Sequence, residues 1–280
     1  MLAEGPVWDP LRERVIWVDI NDHAVHTGTL TGFRIEPVET VTFDGTVGAV
    51  VCSADGDLLV AEARSLTVVR ADGTRVTGPQ LIPDGSPRRL NDGGCDPAGR
   101  FLVGSLSLDE REGAGQEQLF RVTGDDVTVL DDDLSLSNGL GWSPDGTRFY
   151  STDTEPGLIR IRDYDPGTGR VGPRREFLKI TEGFPDGMCV DVEGNLWVAI
   201  WGAGQVRCYS PTGRQLATVE VAAPNTSCVA FVGPDRDVLL ITTASEQLTG
   251  AERERYPDSG KVFTASVGVS GLLVPYWSGA

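Results

Sequence analysis

Short apolar runs, each bounded by turn residues, recur along the chain and predict β-strands. Six of these runs follow a common motif: Arg14–Ile20, Leu58–Ala61, Phe101–Ser105, Arg148–Asp153, Leu196–Ile200 and Val238–Thr242. They are rich in the β-branched and aromatic residues that strands favour. No window has apolar residues sustained at the i, i+3, i+4, i+7 spacing of an amphipathic helix. The pattern therefore predicts an all-β protein.

Further strands follow within each repeat, after hairpin turn residues such as Asp55–Gly56 and Pro144–Gly146. The predicted third strands are Leu66–Arg70, Gln118–Val122, Leu158–Tyr164, Gln205–Tyr209 and Lys261–Thr264. Candidate fourth strands are Arg34–Phe43 and Gln215–Val221. Six units of about four strands each predict a six-bladed β-propeller. We expect residues 1–280 to form one domain, because the repeat runs on without a linker.

The motif that precedes each of the six runs sets the repeat. Its copies are Glu4–Pro10, Gly48–Ala54, Asn91–Pro97, Asn138–Pro144, Asp186–Val192 and Cys228–Pro234, and they begin 42 to 48 positions apart. A period of this length is typical of a ring of small sheets. Equivalent positions around an axis lie close together, so the first residues of the motifs should meet at the central channel.

Four of these first residues carry an oxygen-bearing side chain: Glu4, Asn91, Asn138 and Asp186. Carboxylate and amide oxygens suit Ca²⁺, Mg²⁺ or Mn²⁺ rather than a closed zinc site of thiolates or imidazoles. Four protein oxygens would leave open positions for water and a substrate. Spacing alone does not separate a catalytic ion from a structural ion in the channel. A simpler alternative, that Asn and Asp are only turn formers, leaves the glycines that follow them unexplained.

Arg88, Arg89 and Asp92 flank Asn91 and so border the predicted channel mouth. An arginine beside a metal site can hold a hydroxyl, a carboxylate or a developing anion of a substrate. A surface salt bridge to an acidic loop is the alternative interpretation.

Other nucleophilic chemistry has little support. The only histidines, His23 and His26, follow a strand of the first repeat, and the chain has no Gly-x-Ser-x-Gly elbow. Cys95 and Cys189 lie among apolar neighbours and are expected to be core residues. The acidic runs near positions 125 and 131 are expected to form a solvated loop.

Composition narrows the class of partner. The chain has 280 residues, 40% of them hydrophobic, which is enough for a large core, and a formal charge of −17. That charge disfavours nucleic acid and anionic membranes and suits a cation site. The start has no secretory signal, and no apolar run approaches the ~20 residues of a membrane span. Five cysteines without a Cys-x-x-Cys pair indicate a reduced, cytoplasmic protein.

Several motifs together resemble the senescence marker protein/gluconolactonase/regucalcin family. They are Glu4–Trp8, Arg89–Gly93, Asp96–Arg100, Ser137–Leu140, Pro185–Cys189, Gly194–Ala199, Thr226–Cys228 and Val274–Tyr276. The resemblance covers nearly the whole chain. It implies a six-bladed propeller with one divalent metal ion in the channel, Ca²⁺ first, with Zn²⁺, Mn²⁺ or Mg²⁺ as alternatives.

The resemblance also implies roles for single residues. Glu4, Asn138 and Asp186 match the metal ligands, whereas Arg89 and Asn91 match residues that face the substrate; we group Asp92 with these two. The family hydrolyses sugar lactones and related cyclic esters, so a small-molecule sugar lactone is the expected partner.

These roles lead to the hypothesis of a metal-dependent, gluconolactonase-like hydrolase. In it the metal polarises the lactone carbonyl and Asp186 activates the attacking water as general base. Direct attack by Asp186 is a second route. Two alternatives stay open: a phosphotriesterase similar to diisopropylfluorophosphatase, and a non-catalytic calcium-binding propeller.

Two stretches depart from the family pattern. Many members have a strand before the first motif that closes the last blade, whereas only three residues precede Glu4 here. How the ring closes is therefore in question. The stretch Asp109–Gln116 matches a substrate-side loop loosely, which makes Glu112 and Glu117 weak substrate-contact candidates. The loops Leu106–Gln118 and Ser245–Ser259 are expected to set specificity.

Overall fold

The computed structural model describes residues 1–109 and 115–279. Over these residues the chain forms 23 strands and one six-residue helix. The first sheet contains β1 (Ala3–Asp9), β2 (Arg14–Asp19), β3 (Ala24–Thr31) and β4 (Arg34–Thr42). The second contains β5 (Val47–Cys52), β6 (Leu58–Glu62), β7 (Ser65–Val69) and β8 (Arg75–Gln80). The third contains β9 (Arg88–Cys95), β10 (Phe101–Ser107), β11 (Glu117–Thr123) and β12 (Asp126–Leu134).

The remaining strands follow the same antiparallel order. The fourth sheet contains β13 (Ser137–Trp142), β14 (Arg148–Asp153), β15 (Leu158–Asp163) and β16 (Arg175–Lys179). The fifth contains β17 (Phe184–Val190), β18 (Leu196–Trp201), β19 (Gln205–Tyr209), β20 (Gln215–Glu220), β21 (Asn225–Val232), β22 (Val238–Ala244) and β23 (Phe263–Ser266). Helix α1 (Gly250–Arg255) lies between β22 and β23 and begins with a capping box of Thr249 and Glu252.

The all-β, propeller-like architecture predicted from the sequence is confirmed, but the count of separate sheets is not six. Four sheets have four strands each, and one sheet has seven. The seven-stranded sheet arises because Trp201 at the end of β18 pairs with Asn225 at the start of β21, which joins two repeats through a single residue pair. The last repeat contributes three strands among the described residues.

The first strand of each repeat lies at the centre of the molecule. β1, β5, β9, β13, β17 and β21 contact one another in this order, and β21 contacts β1. Buried apolar side chains form six clusters in the described chain, one between each repeat and the next. On β2, for example, Val15 and Trp17 face one cluster, whereas Ile16 and Val18 face another. Burial on both faces explains why the second strands are continuous apolar runs.

The two ends of the ring meet by packing rather than by a shared blade. Leu2 forms one isolated bridge with Ala244, and the Ser227 hydroxyl donates to the Ala3 carbonyl at 2.6 Å. Ala3 also lies in the apolar cluster between the last repeat and the first. Among the described residues, no helix is long and apolar enough to cross a membrane.

Candidate active site

The first residues of the motifs lie on the central strands, where the ring brings them together. Glu4 is on β1, Asn91 on β9, Asn138 on β13 and Asp186 on β17, and all four are buried. The Asn91 amide nitrogen donates to the Asn138 amide oxygen at 2.9 Å, although 47 positions separate the two residues. The repeat spacing therefore correctly predicted that these side chains converge.

Each acidic group at this level is fixed by the backbone of the glycine that follows it. The Gly5 N–H donates to Glu4 Oε2 at 3.1 Å, and the Gly93 N–H donates to Asp92 Oδ1 at 2.8 Å. The Gly187 N–H makes the same bond to the Asp186 carboxylate. This device holds one oxygen of each carboxylate and leaves the other available.

Close packing around the axis explains why glycine follows. A Cβ atom at Gly139 would lie 2.5 Å from the Asp186 carbonyl oxygen, and one at Gly187 would collide with the Cys228 side chain. At Gly48 it would lie 2.6 Å from the Leu90 carbonyl oxygen. The glycines therefore let neighbouring central strands approach, which the interpretation as simple turn formers does not provide.

A chain of hydrogen bonds links three repeats at the channel. Arg89 donates through one guanidinium nitrogen to Asn91 Oδ1 at 2.8 Å and to the Leu90 carbonyl at 2.9 Å. Asn138 donates through its amide nitrogen to Thr154 Oγ1 at 3.0 Å. The Thr154 hydroxyl in turn donates to the Pro185 carbonyl at 2.8 Å, one residue before Asp186. The two asparagine side chains are thus held in fixed orientations.

The buried charges at this level are unbalanced. Burial raises the pKa of Glu4, and the carboxylates of Asp186 and Asp92 raise it further. Burial, followed by the charge of Asp92, also raises the pKa of Asp186. Burial raises the pKa of Asp92 to about 6. Burial lowers the pKa of Arg89 to about 10, against the opposing effect of Glu4, Glu246 and Asp186. Three buried carboxylates thus share one buried guanidinium, which is costly without a further cation.

A carboxylate oxygen at the site is left without a partner. Asp186 Oδ1 is buried and accepts no hydrogen bond from the described residues. Buried carboxylate oxygens are normally hydrogen-bonded or bound to metal. This orphaned oxygen, the nearby Glu4 carboxylate and the Asn138 amide oxygen form a donor set that fits a hard divalent cation. In residues 1–109 and 115–279, no group of three or more His, Cys, Asp or Glu side chains has the arrangement of a metal site. The fit therefore depends on the amide oxygen as well as the two carboxylates.

The residues that flank Asn91 separate into two environments. Arg89 is buried at the channel, whereas Arg88 forms an ion pair with Glu117 at 2.8 Å. The salt-bridge alternative thus holds for Arg88 and not for Arg89. Asp92 lines a cavity of about 480 Å³ in the channel together with Gly5, Met188 and Cys228. It therefore lies beside the candidate ligands but also faces the interior of the channel.

Glu117 has a structural environment. Its second carboxylate oxygen accepts a hydrogen bond from the Ser105 hydroxyl at 2.6 Å, so both oxygens are occupied. Glu112, the other weak substrate-contact candidate, lies outside the described residues.

Sequence reasoning did not identify Thr154 or Glu246. Thr154 carries the hydrogen-bond chain from Asn138 to the Pro185 carbonyl, and its position just after a predicted strand was the available signal. Burial lowers the pKa of Arg89, whereas the Glu246 carboxylate raises it. The Glu246 backbone carbonyl accepts a hydrogen bond from the buried Asn225 side-chain amide at 2.9 Å. It lies in the loop before α1, whose conformation has no repeat to predict it.

The histidines and cysteines lie outside this cluster of charges or act as packing residues. His26 stacks on Trp17 and contacts Thr40. All five cysteines are free, and Cys228, at the first position of the last motif, packs against Gly187. Burial raises the pKa of the Cys228 thiol, as expected for a core residue rather than a ligand.

The fold and the site together define a propeller-like protein with a buried, acidic central channel. The chain belongs to the SMP-30/gluconolactonase/LRE-like family, and the sequence profile of that family matches residues 2–245. This confirms the resemblance read from the motifs.

Individual relatives match over almost the whole chain. The chain is 36% identical over 263 residues to the pentonolactonase XacC of Haloferax volcanii, covering 92% of this chain and 87% of that protein. It is 32% identical over 291 residues to regucalcin of Xenopus laevis, covering 99% and 95%. A crystal structure described as a calcium-binding protein, regucalcin, from Agrobacterium tumefaciens is similar with a TM-score of 0.92 at 30% identity, covering 99% of this chain and 93% of that one.

Proposed function

We propose that this protein is a metal-dependent hydrolase that opens sugar lactones. The observation that carries the proposal is the unpartnered Asp186 Oδ1 among three buried carboxylates and a single arginine. Such a site needs a cation, and a cation in an open oxygen-donor site can polarise the carbonyl of a lactone. The similarity to the Haloferax pentonolactonase supports the choice of a lactone as substrate.

The proposed ligands are Glu4, Asn138 and Asp186. Glu4 and Asp186 each have one oxygen held by a glycine N–H, so the second oxygen is free for a cation. Asn138 Oδ1 accepts one bond from Asn91 and retains a second lone pair. A bound divalent ion, Ca²⁺ first and Zn²⁺, Mn²⁺ or Mg²⁺ as alternatives, would polarise the lactone carbonyl and stabilise the negative charge that develops on it.

The remaining polar groups have complementary roles in this proposal. Asp186 would also take the proton from the attacking water, because a water that shares the ion with this carboxylate would lie within its reach. Arg89 uses one nitrogen for Leu90 and Asn91, and its other N–H groups are left for substrate hydroxyls. Asn91 accepts a hydrogen bond from Arg89 and donates one to Asn138. It therefore sets the distance between the arginine that would hold the substrate and the asparagine that would bind the ion. Asp92 lies where the site meets the cavity in the channel.

The architecture fits this assignment if the seven-stranded sheet is counted as two blades. β17–β20 and β21–β23 are joined through one residue pair, and an apolar cluster separates them as it separates the other repeats. On this count the chain is one six-bladed domain. A cytoplasmic location stays a prediction.

A second function, calcium binding without catalysis, is favoured by the similarity to a structure described as a calcium-binding protein. The same donor set would serve it. The two functions differ only in turnover.

Hydrolysis of five- and six-carbon aldonolactones, measured with and without EDTA, tests the proposal. We expect turnover that chelation removes and added Ca²⁺, Mn²⁺, Mg²⁺ or Zn²⁺ restores. An organophosphate triester in the same panel separates the phosphotriesterase alternative. Undiminished lactone hydrolysis after chelation would refute the metal role, and metal binding without any turnover would favour the non-catalytic function.

A further inference from the structure

The C-terminal segment crosses the far end of the channel, opposite the motif residues that begin each central strand. We call residues 270–278 the strap. At its start, Leu272 N–H donates to the Val190 carbonyl at 3.2 Å and Gly271 N–H to the Arg236 carbonyl at 2.8 Å. Val192 N–H donates back to the Ser270 carbonyl at 3.0 Å. These bonds hold the strap to the end of β17 and to the turn before β22.

The end of the strap is held on the opposite side of the ring. Trp277 N–H donates to the Cys52 carbonyl and Ser278 N–H to the Gly99 carbonyl, both at 2.9 Å. These acceptors lie at the end of β5 and in the turn after β9. A Cβ at Gly99 would lie 2.5 Å from the Tyr276 carbonyl oxygen, so the strap sits directly against this turn.

Tyr276 ties the strap to the first repeat. Its hydroxyl donates to Asp9 Oδ1 at 2.7 Å and accepts from the Leu11 N–H at 3.1 Å. Asp9 is fully buried at the last position of β1, and its other oxygen accepts from Arg14 Nε at 3.0 Å. The tyrosine is therefore bonded to a charged, immobile acceptor, which is a strong form of hydrogen bond.

This tie is needed because the sheets do not join the two chain ends. Every sheet is built from strands that are consecutive in sequence, and β1 pairs only with β2 in the described sheets. Apart from apolar packing, these contacts in the described chain connect the last repeat to the first: the bridge from Leu2 to Ala244, and the bonds from Ser227 to Ala3, from Ser245 N–H to the Met1 carbonyl and from the Thr264 hydroxyl to the Phe33 carbonyl. The first three lie at the Glu4 end of β1, and Thr264 meets the turn between β3 and β4. The Asp9 end is fixed by the strap.

Two of the strands that the strap binds, β1 and β17, carry candidate ligands. Glu4 and Asp9 lie on β1, with five residues of rise, about 17 Å, between them. Asp186 and Val190 lie on β17, with four residues of rise, about 13 Å, between them. We infer that the strap holds the far ends of β1 and β17 at a fixed separation and thereby sets the spacing between Glu4 and Asp186, with Tyr276 as the positioning residue. The part that concerns the ligands rests on the proposed function.

Tyr276→Phe tests this directly, since it removes one hydroxyl and keeps the ring that packs against Val50 and its neighbours. Tyr209→Phe is the matched control, because it also removes one tyrosine hydroxyl, which bonds to Arg207, and Tyr209 lies on β19, a strand without a candidate ligand. Two measurements are made on each folded variant: amide hydrogen exchange of β1 compared with β14, and calorimetric titration with Ca²⁺.

We expect β1 in Tyr276→Phe to exchange about tenfold faster, because a bond to a charged group is lost there, while β14 is unchanged. We expect Ca²⁺ to bind about 3- to 10-fold more weakly, as for other mutations that act on a site through the fold. Tyr209→Phe should change neither quantity. A role in general stability would instead accelerate exchange in β1 and β14 alike.

The outcomes separate this inference from the proposed function. Unchanged exchange in β1 of Tyr276→Phe would overturn the strap as a tie, and faster exchange with unaltered Ca²⁺ affinity would overturn its role in ligand spacing. If the wild-type protein binds none of Ca²⁺, Mn²⁺, Mg²⁺ and Zn²⁺, the proposed metal site fails. Faster exchange in β1 would then still support the tie between the strap and β1.

Discussion

A single methyl group added at Gly139 should separate two of the candidate ligands. Gly139 follows Asn138 on β13, and its Cβ would lie 2.5 Å from the carbonyl oxygen of Asp186 on β17. Real Cβ atoms essentially never approach closer than 3.0 Å, so the two strands must move apart by at least 0.5 Å (3.0 − 2.5). The obstacle is backbone, which cannot rotate away as a side chain can. The displacement therefore passes to Asn138 and Asp186 themselves.

Two effects follow from that displacement. Overpacking of this kind costs about 1–3 kcal/mol of unfolding free energy. Metal ligands tolerate errors of only about 0.2 Å, and misplacement by about 1 Å can cost 10²-fold in rate. We expect Gly139→Ala to lower Ca²⁺ affinity and lactonase kcat/KM by about 10- to 100-fold. Urea unfolding, calorimetric titration and initial rates measure the three quantities.

Gly94→Ala is the matched control. Gly94 also lies on a central strand, β9, but a Cβ there has no atom within 4 Å, and its φ is not positive. It should retain affinity and activity, and its stability should stay the same or rise by up to about 1 kcal/mol, because alanine restricts the unfolded chain. If Gly139→Ala binds Ca²⁺ and turns over lactone as well as Gly94→Ala does, the argument from close strand packing is wrong.

Three further predictions concern the charges. Asp186→Asn should lower lactone turnover by at least about 10²-fold with an unchanged circular dichroism spectrum, because the amide cannot accept the proton; full activity would remove Asp186 as general base. Saturation with Ca²⁺ at about 100 times its Kd should raise the melting temperature by about 5 to 10 °C, and a melting temperature that no divalent cation changes would contradict the cation site. Asp131→Asn should cost about 3–5 kcal/mol in urea unfolding, because it leaves Arg162, which is 2% exposed, without its charge partner. Asp133→Asn, which breaks an ion pair whose carboxylate is 59% exposed, should cost less than about 1 kcal/mol, and equal costs would refute the burial argument.

The inner half of each repeat could be predicted from the sequence because it is buried on two faces. Arg148–Asp153 and Gln205–Tyr209 are strands with the predicted bounds. Two outer strands, β4 and β20, were predicted within one residue, but β8, β12 and β16 were not, because one face of an outer strand meets water and its composition is mixed. The acidic stretch around Asp131 was expected to be a solvated loop, yet it forms β12 (Asp126–Leu134). Asp131 can be buried because it pairs with Arg162, a partner that sequence spacing does not reveal.

The candidate site also contains residues that the repeat predicts and residues that it does not. Residues at the first motif position could be placed at the axis, because equivalent positions of a repeat lie at equivalent places around the ring. Glu246 and the strap could not, since each lies after the repeat pattern ends and depends on long-range contacts such as Asn225 to Glu246 and Tyr276 to Asp9. The joining of the last two repeats into one sheet is also outside the pattern, because it rests on the single pair of Trp201 and Asn225.

The same glycines that allow the ring to close also create the electrostatic problem at its centre. They bring the central strands close enough that, beyond the effect of burial, Asp186 and Asp92 raise the pKa of Glu4 and Asp92 raises the pKa of Asp186, and their N–H groups satisfy only part of each carboxylate. Filling the axis with apolar side chains would relieve this repulsion, but Gly139 and Gly187 leave no space for them beside the neighbouring strand. A bound cation would neutralise the carboxylates, and it would need no further side chain in the narrow space at the axis. The ligand set is therefore tied to the packing of the ring, and substitutions at the glycines should affect both together.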